Sequence, residues 1–180
     1  MPSLSARLVG FALRTTGFYR RMYSGGELFR KNLAKIRAAR LAEPTEKMRQ
    51  QLTVSGSDFE GRPVWYLAPK DRAPTAHILY WHGGGYVYPA TPAHWAFLAH
   101  MVGVHGWAIT APLYPLAPES NAEEATAWAL NFYRRYLAER GAAPFVMGGD
   151  SAGGGLTAAA TLLARQQALP LPAALVLICP

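Results

Sequence analysis

A chain of 180 residues with 51% hydrophobic and 16% charged side chains fits one ordinary globular domain and excludes disordered, collagen-like and coiled-coil proteins. The single cysteine, Cys179, excludes an intrachain disulfide and any multi-cysteine zinc or iron–sulfur centre. The net charge of +7 points to nucleic acid only until it is divided: residues 1–50 hold 11 of the 18 Lys and Arg against Glu27, Glu43 and Glu46, a net of +8, while the rest hold 7 basic and 8 acidic groups, a net of −1.

The chain therefore divides into a basic helical arm or cap, residues 1–50, and a near-neutral body, residues 51–180, for which no nucleic-acid partner is expected. In the arm, Leu4, Leu8, Phe11, Thr15, Phe18 and Met22 recur at helical spacing, Gly25 and Gly26 break the pattern, and a second basic helix is predicted from Glu27 to Leu41, before Pro44. Such helices fit a lid packed on the body, a helix lying on a membrane surface as a peripheral contact, or an organelle-targeting peptide. No run of 18 apolar residues exists to span a bilayer, and Leu8 to Leu13 is too short for a secretory signal, so a cytoplasmic location is the default expectation.

In the body, Val64 to Leu67 reads as an early strand, and four continuous apolar runs follow: His77 to Trp81, Trp107 to Ala111, Phe145 to Met147 and Ala174 to Cys179. Unbroken rather than alternating hydrophobicity predicts strands covered on both faces, as in parallel sheets, and Cys179 then reads as a buried strand residue. Between the runs, Trp95, Leu98, Met101, Val102 and His105 share one helix face that Gly106 ends. Ser120 and Glu123 form a predicted capping box, Trp128, Ala129, Phe132 and Tyr136 a buried stripe, Arg134, Arg135 and Arg140 favour the C-terminal dipole, and Gly141 closes that helix. A further helix is predicted from Ala152 to about Ala168. This alternation predicts an α/β fold with a mostly parallel sheet flanked by helices.

Two glycine-rich turns fall at predicted strand ends, where such folds build their sites. One is Gly148-Gly149-Asp150-Ser151-Ala152-Gly153-Gly154, between a strand and a helix, in which Gly149, Ser151 and Gly153 fit G-x-S-x-G. A serine there sits in a strained conformation, with no room for side chains two positions to either side, and its hydroxyl projects above a helix N-terminus that favours negative charge. The other turn, His82-Gly83-Gly84-Gly85, leaves backbone N–H groups uncovered, and acyl transfer needs such donors for its tetrahedral oxyanion. Gly83, Gly84 and Ala152 are the expected donors; this pairing of turns is a general arrangement of lipases and esterases.

With Tyr114-Pro115-Leu116-Ala117-Pro118-Glu119 lying between these two motifs, the chain from about Gly61 to Pro180 resembles the hormone-sensitive-lipase-like esterases of the α/β-hydrolase superfamily. Pro115 stands where that family usually has Arg. The resemblance implies an α/β-hydrolase fold with N-terminal cap helices and a serine hydrolase acting on small acyl esters through an acyl-serine at Ser151. It implies a loop-holding role for His82, with Gly85, Gly149, Asp150 and Gly153 as motif support and Glu119 bracing its loop. No cofactor and no metal site is expected, and the glycine turn lacks the Lys-Ser/Thr pair of a nucleotide loop.

After Ser151 the sequence holds no Asp, Glu or His, although this fold orders its triad as serine, acid, histidine. The expectation is a portion of a longer enzyme that is nearly inactive by itself. The alternatives are a non-catalytic acyl-ligand binding module, or an amidase or formamidase on the same fold.

Overall fold

The computed structural model describes residues 3, 8, 11, 15, 26–38, 43–141 and 143–180. These fall into two compact units, Met1–Arg40 and Leu41–Pro180. In the first, Leu8, Phe11 and Thr15 are helical, and Leu8 and Phe11 are exposed; Leu4, Phe18, Met22 and Gly25 lie outside the described residues. Helix α1 spans Glu27–Ala38, with Lys31 bridging to Glu27 one turn back at 2.9 Å, and the expected continuation to Leu41 also falls outside the described residues.

The second unit begins with α2 (Glu46–Gln51), whose N-cap Thr45 hydroxyl accepts the Met48 N–H at 3.3 Å. A hairpin follows that the apolar pattern does not announce: β1 (Leu52–Phe59) pairs antiparallel with β2 (Arg62–Pro69). Its two turn residues, Glu60 and Gly61, both have positive φ (50° and 75°), the conformation whose twist matches that of the flanking strands, and Asp58 Oδ1 accepts the Gly61 N–H at 2.9 Å. β1 escapes prediction because it is an edge strand carrying Ser55, Gly56, Ser57 and Asp58, all exposed.

The remaining elements alternate: β3 (Ala76–Trp81), α3 (Pro92–His105), β4 (Trp107–Pro112), α4 (Ala122–Arg140), β5 (Val146–Asp150), α5 (Ala152–Gln166) and β6 (Ala174–Ile178). The sheet order is β1-β2-β4-β3-β5-β6, antiparallel at β1–β2 and β2–β4 and parallel from β4 onward. Successive strand residues face opposite sides, so the sheet carries two cores. Leu79 and Trp81 of β3 join Trp128, Phe132, Tyr133, Leu156 and Ala160 of α4 and α5. Ile78 and Tyr80 join Trp95, Leu98 and Val102 of α3.

Four expectations are corrected. The α4 capping box is one residue further on: Asn121 Oδ1 accepts the Glu124 N–H at 2.9 Å and Glu124 Oε2 accepts the Asn121 N–H at 3.0 Å. Arg134 and Arg135 do not serve the helix end. Arg134 bonds Asn131 and Gln167, and Arg135 bonds Glu139 and the Asp58 carbonyl. β6 is not covered on both faces: it borders only β5 among the described strands, and each of its residues is exposed. Cys179, just past the end of β6, is exposed rather than buried, with φ +47°.

Candidate active site

Ser151 stands between β5 and α5 with φ 48° and ψ −120°, a conformation that costs a non-glycine residue about 1–3 kcal/mol unless its surroundings enforce it. The surroundings do. The Ser151 N–H donates to the Ile178 carbonyl at 2.7 Å, and its carbonyl accepts the Gly155 N–H at 3.1 Å. A Cβ on Gly149 or Gly153 would collide with the Trp81 carbonyl of β3, so strand and helix approach too closely for anything but glycine. The serine is exposed, and its side chain makes no capping hydrogen bond.

The turn after β3 is held by side chains. His82 is buried, its ring stacked on Tyr114 at 4.5 Å between centroids, and its Nδ1 lies 2.7 Å from the Gly83 carbonyl. A carbonyl only accepts, so the proton sits on Nδ1. Burial is the largest influence on this ring and lowers its pKa to about 4, so His82 is neutral at pH 7. The Tyr114 hydroxyl donates to the His82 carbonyl at 2.8 Å, and the Ala117 N–H donates to the Tyr86 carbonyl at 2.8 Å. The Tyr114 to Glu119 connector thus fastens the turn, and Arg62 fastens the connector through the Leu113 and Tyr114 carbonyls at 3.1 and 2.8 Å. Glu119 itself is exposed.

Gly83 is a correction. Its N–H donates to Asp150 Oδ1 at 2.8 Å and is therefore not available to an oxyanion. The amides of Gly84 and Gly85, and that of Ala152 at the first position of α5, have no acceptor among the described residues. Gly84 carries φ +130° and Gly85 φ +60°.

Asp150 is the polar centre of this region. Its Oδ1 also accepts the Tyr80 hydroxyl at 2.5 Å, and His94 Nε2 lies 3.4 Å from Oδ2. Burial alone would raise the Asp150 pKa; the hydrogen bonds from His94 and Tyr80, the His94 charge and the Gly83 N–H together outweigh it and hold the carboxyl down at about 2. Burial and the Asp150 contact push the Tyr80 phenol well above its ordinary value. An open cleft of about 300 Å³ lined by Tyr80, Ala93, His94, Phe97, Asp150 and Ile178 adjoins the elbow.

Sequence reasoning missed Tyr80, His94 and the anchoring role of Tyr114. His77 and Tyr136 line a depression where β2 and β4 meet α4, and His100 and His105 are exposed on α3. Among the described residues no group of three or more His, Cys, Asp and Glu is placed to hold a metal ion, and no helix is long and apolar enough to cross a membrane.

A nucleophile elbow beside a triple-glycine turn, on a sheet whose strands run parallel from β4 to β6, defines an α/β hydrolase. The alpha/beta hydrolase fold family matches residues 78–180, more than half of the chain, and the chain belongs to that family. LipR of Mycobacterium tuberculosis is 34% identical over 122 residues, 67% of this chain and 39% of LipR. An acetyl-hydrolase of Streptomyces hygroscopicus is 38% identical over 105 residues, 57% of this chain and 35% of that protein. Among solved structures, a hormone-sensitive lipase from a metagenome library superposes with TM-score 0.64 at 31% identity, covering 82% of this chain and 56% of that one. The chain thus spans between about a third and just over half of the length of these relatives.

Proposed function

We propose that the whole protein is a serine carboxylester hydrolase acting on short to medium acyl esters. The observation that carries this reading is an exposed Ser151 held at φ 48° on a strand-to-helix junction, next to a turn with uncommitted amides. Ser151 Oγ attacks the ester carbonyl carbon, the carbonyl oxygen becomes the oxyanion, and the amides of Gly84, Gly85 and Ala152 bind it; collapse expels the alcohol and leaves an acyl-serine that water hydrolyses. Support comes from the family, and from relatives named for acetyl-hydrolase and lipase activities.

The proton of Ser151 needs a base, and the five histidines of this chain are poor candidates. His82 is buried against its own turn, His94 is engaged with Asp150, His77 belongs to the depression beside α4, and His100 and His105 are exposed on α3. The base and its acid are therefore proposed to lie outside these 180 residues. No cofactor takes part in this reaction. The excess of positive charge in residues 1–50, with Leu8, Phe11, Leu28 and Ile36 exposed, supports a peripheral contact with an anionic membrane.

A fluorophosphonate probe tests the nucleophile. Peptide mass spectrometry should find the adduct on Ser151, rapidly in a longer form that supplies the base and some 10³-fold or more slower in the 180-residue chain, with none in Ser151→Ala. A folded, longer form that stays unlabelled removes the proposal.

A further inference from the structure

Asp150 receives donors from three elements at once. Tyr80 of β3 and the Gly83 N–H of the turn share Oδ1, at 2.5 and 2.8 Å, and His94 of α3 faces Oδ2 at 3.4 Å. The orientation of the His94 ring is set by the helix start: the Thr91 N–H donates to Nδ1 at 2.9 Å, and the Thr91 hydroxyl lies 2.8 Å from the same nitrogen. With the Nδ1 lone pair occupied, a neutral His94 carries its proton on Nε2, toward Asp150. The carboxylate is seated tightly, since a Cβ on Gly83 would overlap it. The other ionisable groups facing this pair are His82, whose ring centroid is 5.9 Å from that of His94, Tyr114 stacked behind it, and Arg62, whose charge reaches His82.

We infer that His94 is a positioning residue of the oxyanion turn: by holding one oxygen of Asp150 it aims the other at the Gly83 N–H, and so fixes the direction of the Gly84 and Gly85 amides that follow. This deepens the reading of Ser151 as a nucleophile, because it identifies what keeps the proposed oxyanion donors aimed. Residues 86–91 join the turn to α3, and the Val87 and Tyr88 N–H groups donate back to the Gly84 carbonyl; the side-chain route from His94 to the Gly83 N–H is the Asp150 carboxylate. Because the acceptor is a carboxylate, protonation of His94 turns a charge-assisted contact into an ion pair, and the change must be felt at the Gly83 amide. His82 does not confuse the readout, since burial keeps it uncharged above about pH 5.

The test is a two-dimensional NMR titration of the wild-type chain from pH 5 to 9. The Gly83 amide resonance should move with the same midpoint as the His94 ring carbon, while the Gly26 amide, in the other unit, does not. A Gly83 amide that ignores the His94 titration overturns the inference, and because no variant is needed, misfolding cannot hide that result. His94→Gln, which keeps a neutral donor near Nε2, should abolish the Gly83 titration and hold the Ser151 phosphonylation rate within about threefold, whereas His94→Leu lowers that rate by roughly ten- to a hundredfold, less than outright loss of an oxyanion donor. Equal rates in the Leu and Gln variants would also overturn it. Should Ser151 resist the probe in every form, the nucleophile falls, and the amide titration still decides the coupling.

Discussion

The elbow around Ser151 and the turn after β3 are both rich in glycine, but they hold their shapes by different means. At the elbow, neighbouring backbone removes the space: Cβ atoms on Gly149 and Gly153 would strike the Trp81 carbonyl, and one on Gly148 would come within 2.8 Å of the Val176 carbonyl. The turn is fastened by side chains, through Asp150 to the Gly83 N–H, Tyr114 to the His82 carbonyl and His82 to the Gly83 carbonyl. Around Gly85 nothing lies within 4 Å of an added Cβ. The nucleophile is thus positioned by packed backbone, whereas the turn, apart from Gly84 packed against the Tyr88 carbonyl, depends largely on a removable set of polar contacts. The first should resist everything short of a steric insult, and the second should respond to pH.

The largest effect expected is that of Gly153→Ala. Its Cβ would lie against the Trp81 and His82 carbonyls, groups that cannot rotate away, so β3 and α5 must separate along the middle of the sheet. The cost should exceed about 4 kcal/mol, in the range that small domains seldom survive. Loss of the cooperative tryptophan-fluorescence transition in urea checks it; a variant within about 1 kcal/mol of wild type would mean that the elbow is not shaped by contact with β3.

The sequence carries these two regions unequally. The elbow is legible because its glycines are required locally, whatever the rest of the chain does, and the same holds for the αL glycine Gly106 that ends α3 (φ 72°). The anchors of the turn are hidden because they meet only after folding: Gly83 and Asp150 are 67 positions apart, and His94 reaches Asp150 from a third element. Nothing in the spacing assigns the Gly83 N–H to a carboxylate, which is why Gly83 stands among the donors expected from the sequence. The α4 cap fails for a different reason. Ser120 and Asn121 are both good caps, each followed three positions later by a glutamate, and the choice falls to the residue with extended backbone, Asn121 at φ −99° and ψ 177°. β1 is invisible because its packed apolar residues, Leu52, Val54 and Phe59, are separated by the exposed run Ser55, Gly56, Ser57 and Asp58 of an edge strand.

Acid should dissect the turn in two stages. For His82 the folded pKa of about 4 lies below the ordinary 6.5, so between these values the unfolded chain binds more protons. This contribution is complete above about pH 6.5 and is lost as pH falls toward 4, on the order of 3 kcal/mol. Asp150, held at about 2 against an ordinary 3.8, contributes above about pH 4 and loses that contribution as pH falls toward 2, up to about 2 kcal/mol after allowance for partial solvent exposure. Urea midpoints measured from pH 8 to pH 2 should therefore decline in two limbs. His82→Asn should flatten the upper limb and Asp150→Asn the lower one. A profile unaltered by both substitutions would deny that these groups hold the turn.

The smallest effect sharpens the contrast, because it separates want of space from backbone conformation at a single glycine. Gly85 lies at φ +60°, where an L side chain is disfavoured by about 1–2 kcal/mol, but an added methyl would meet no neighbour. Gly85→Ala should therefore fold with a loss of about 1 kcal/mol and keep both acid limbs, since it touches none of the bonds that anchor the turn. If the left-handed backbone persists, the Gly85 amide keeps its direction and Ser151 phosphonylation should fall less than about threefold; if the turn relaxes to negative φ, stability recovers while phosphonylation drops much further. A loss as large as that of Gly153→Ala would instead place the turn in the same class as the elbow, governed by excluded volume.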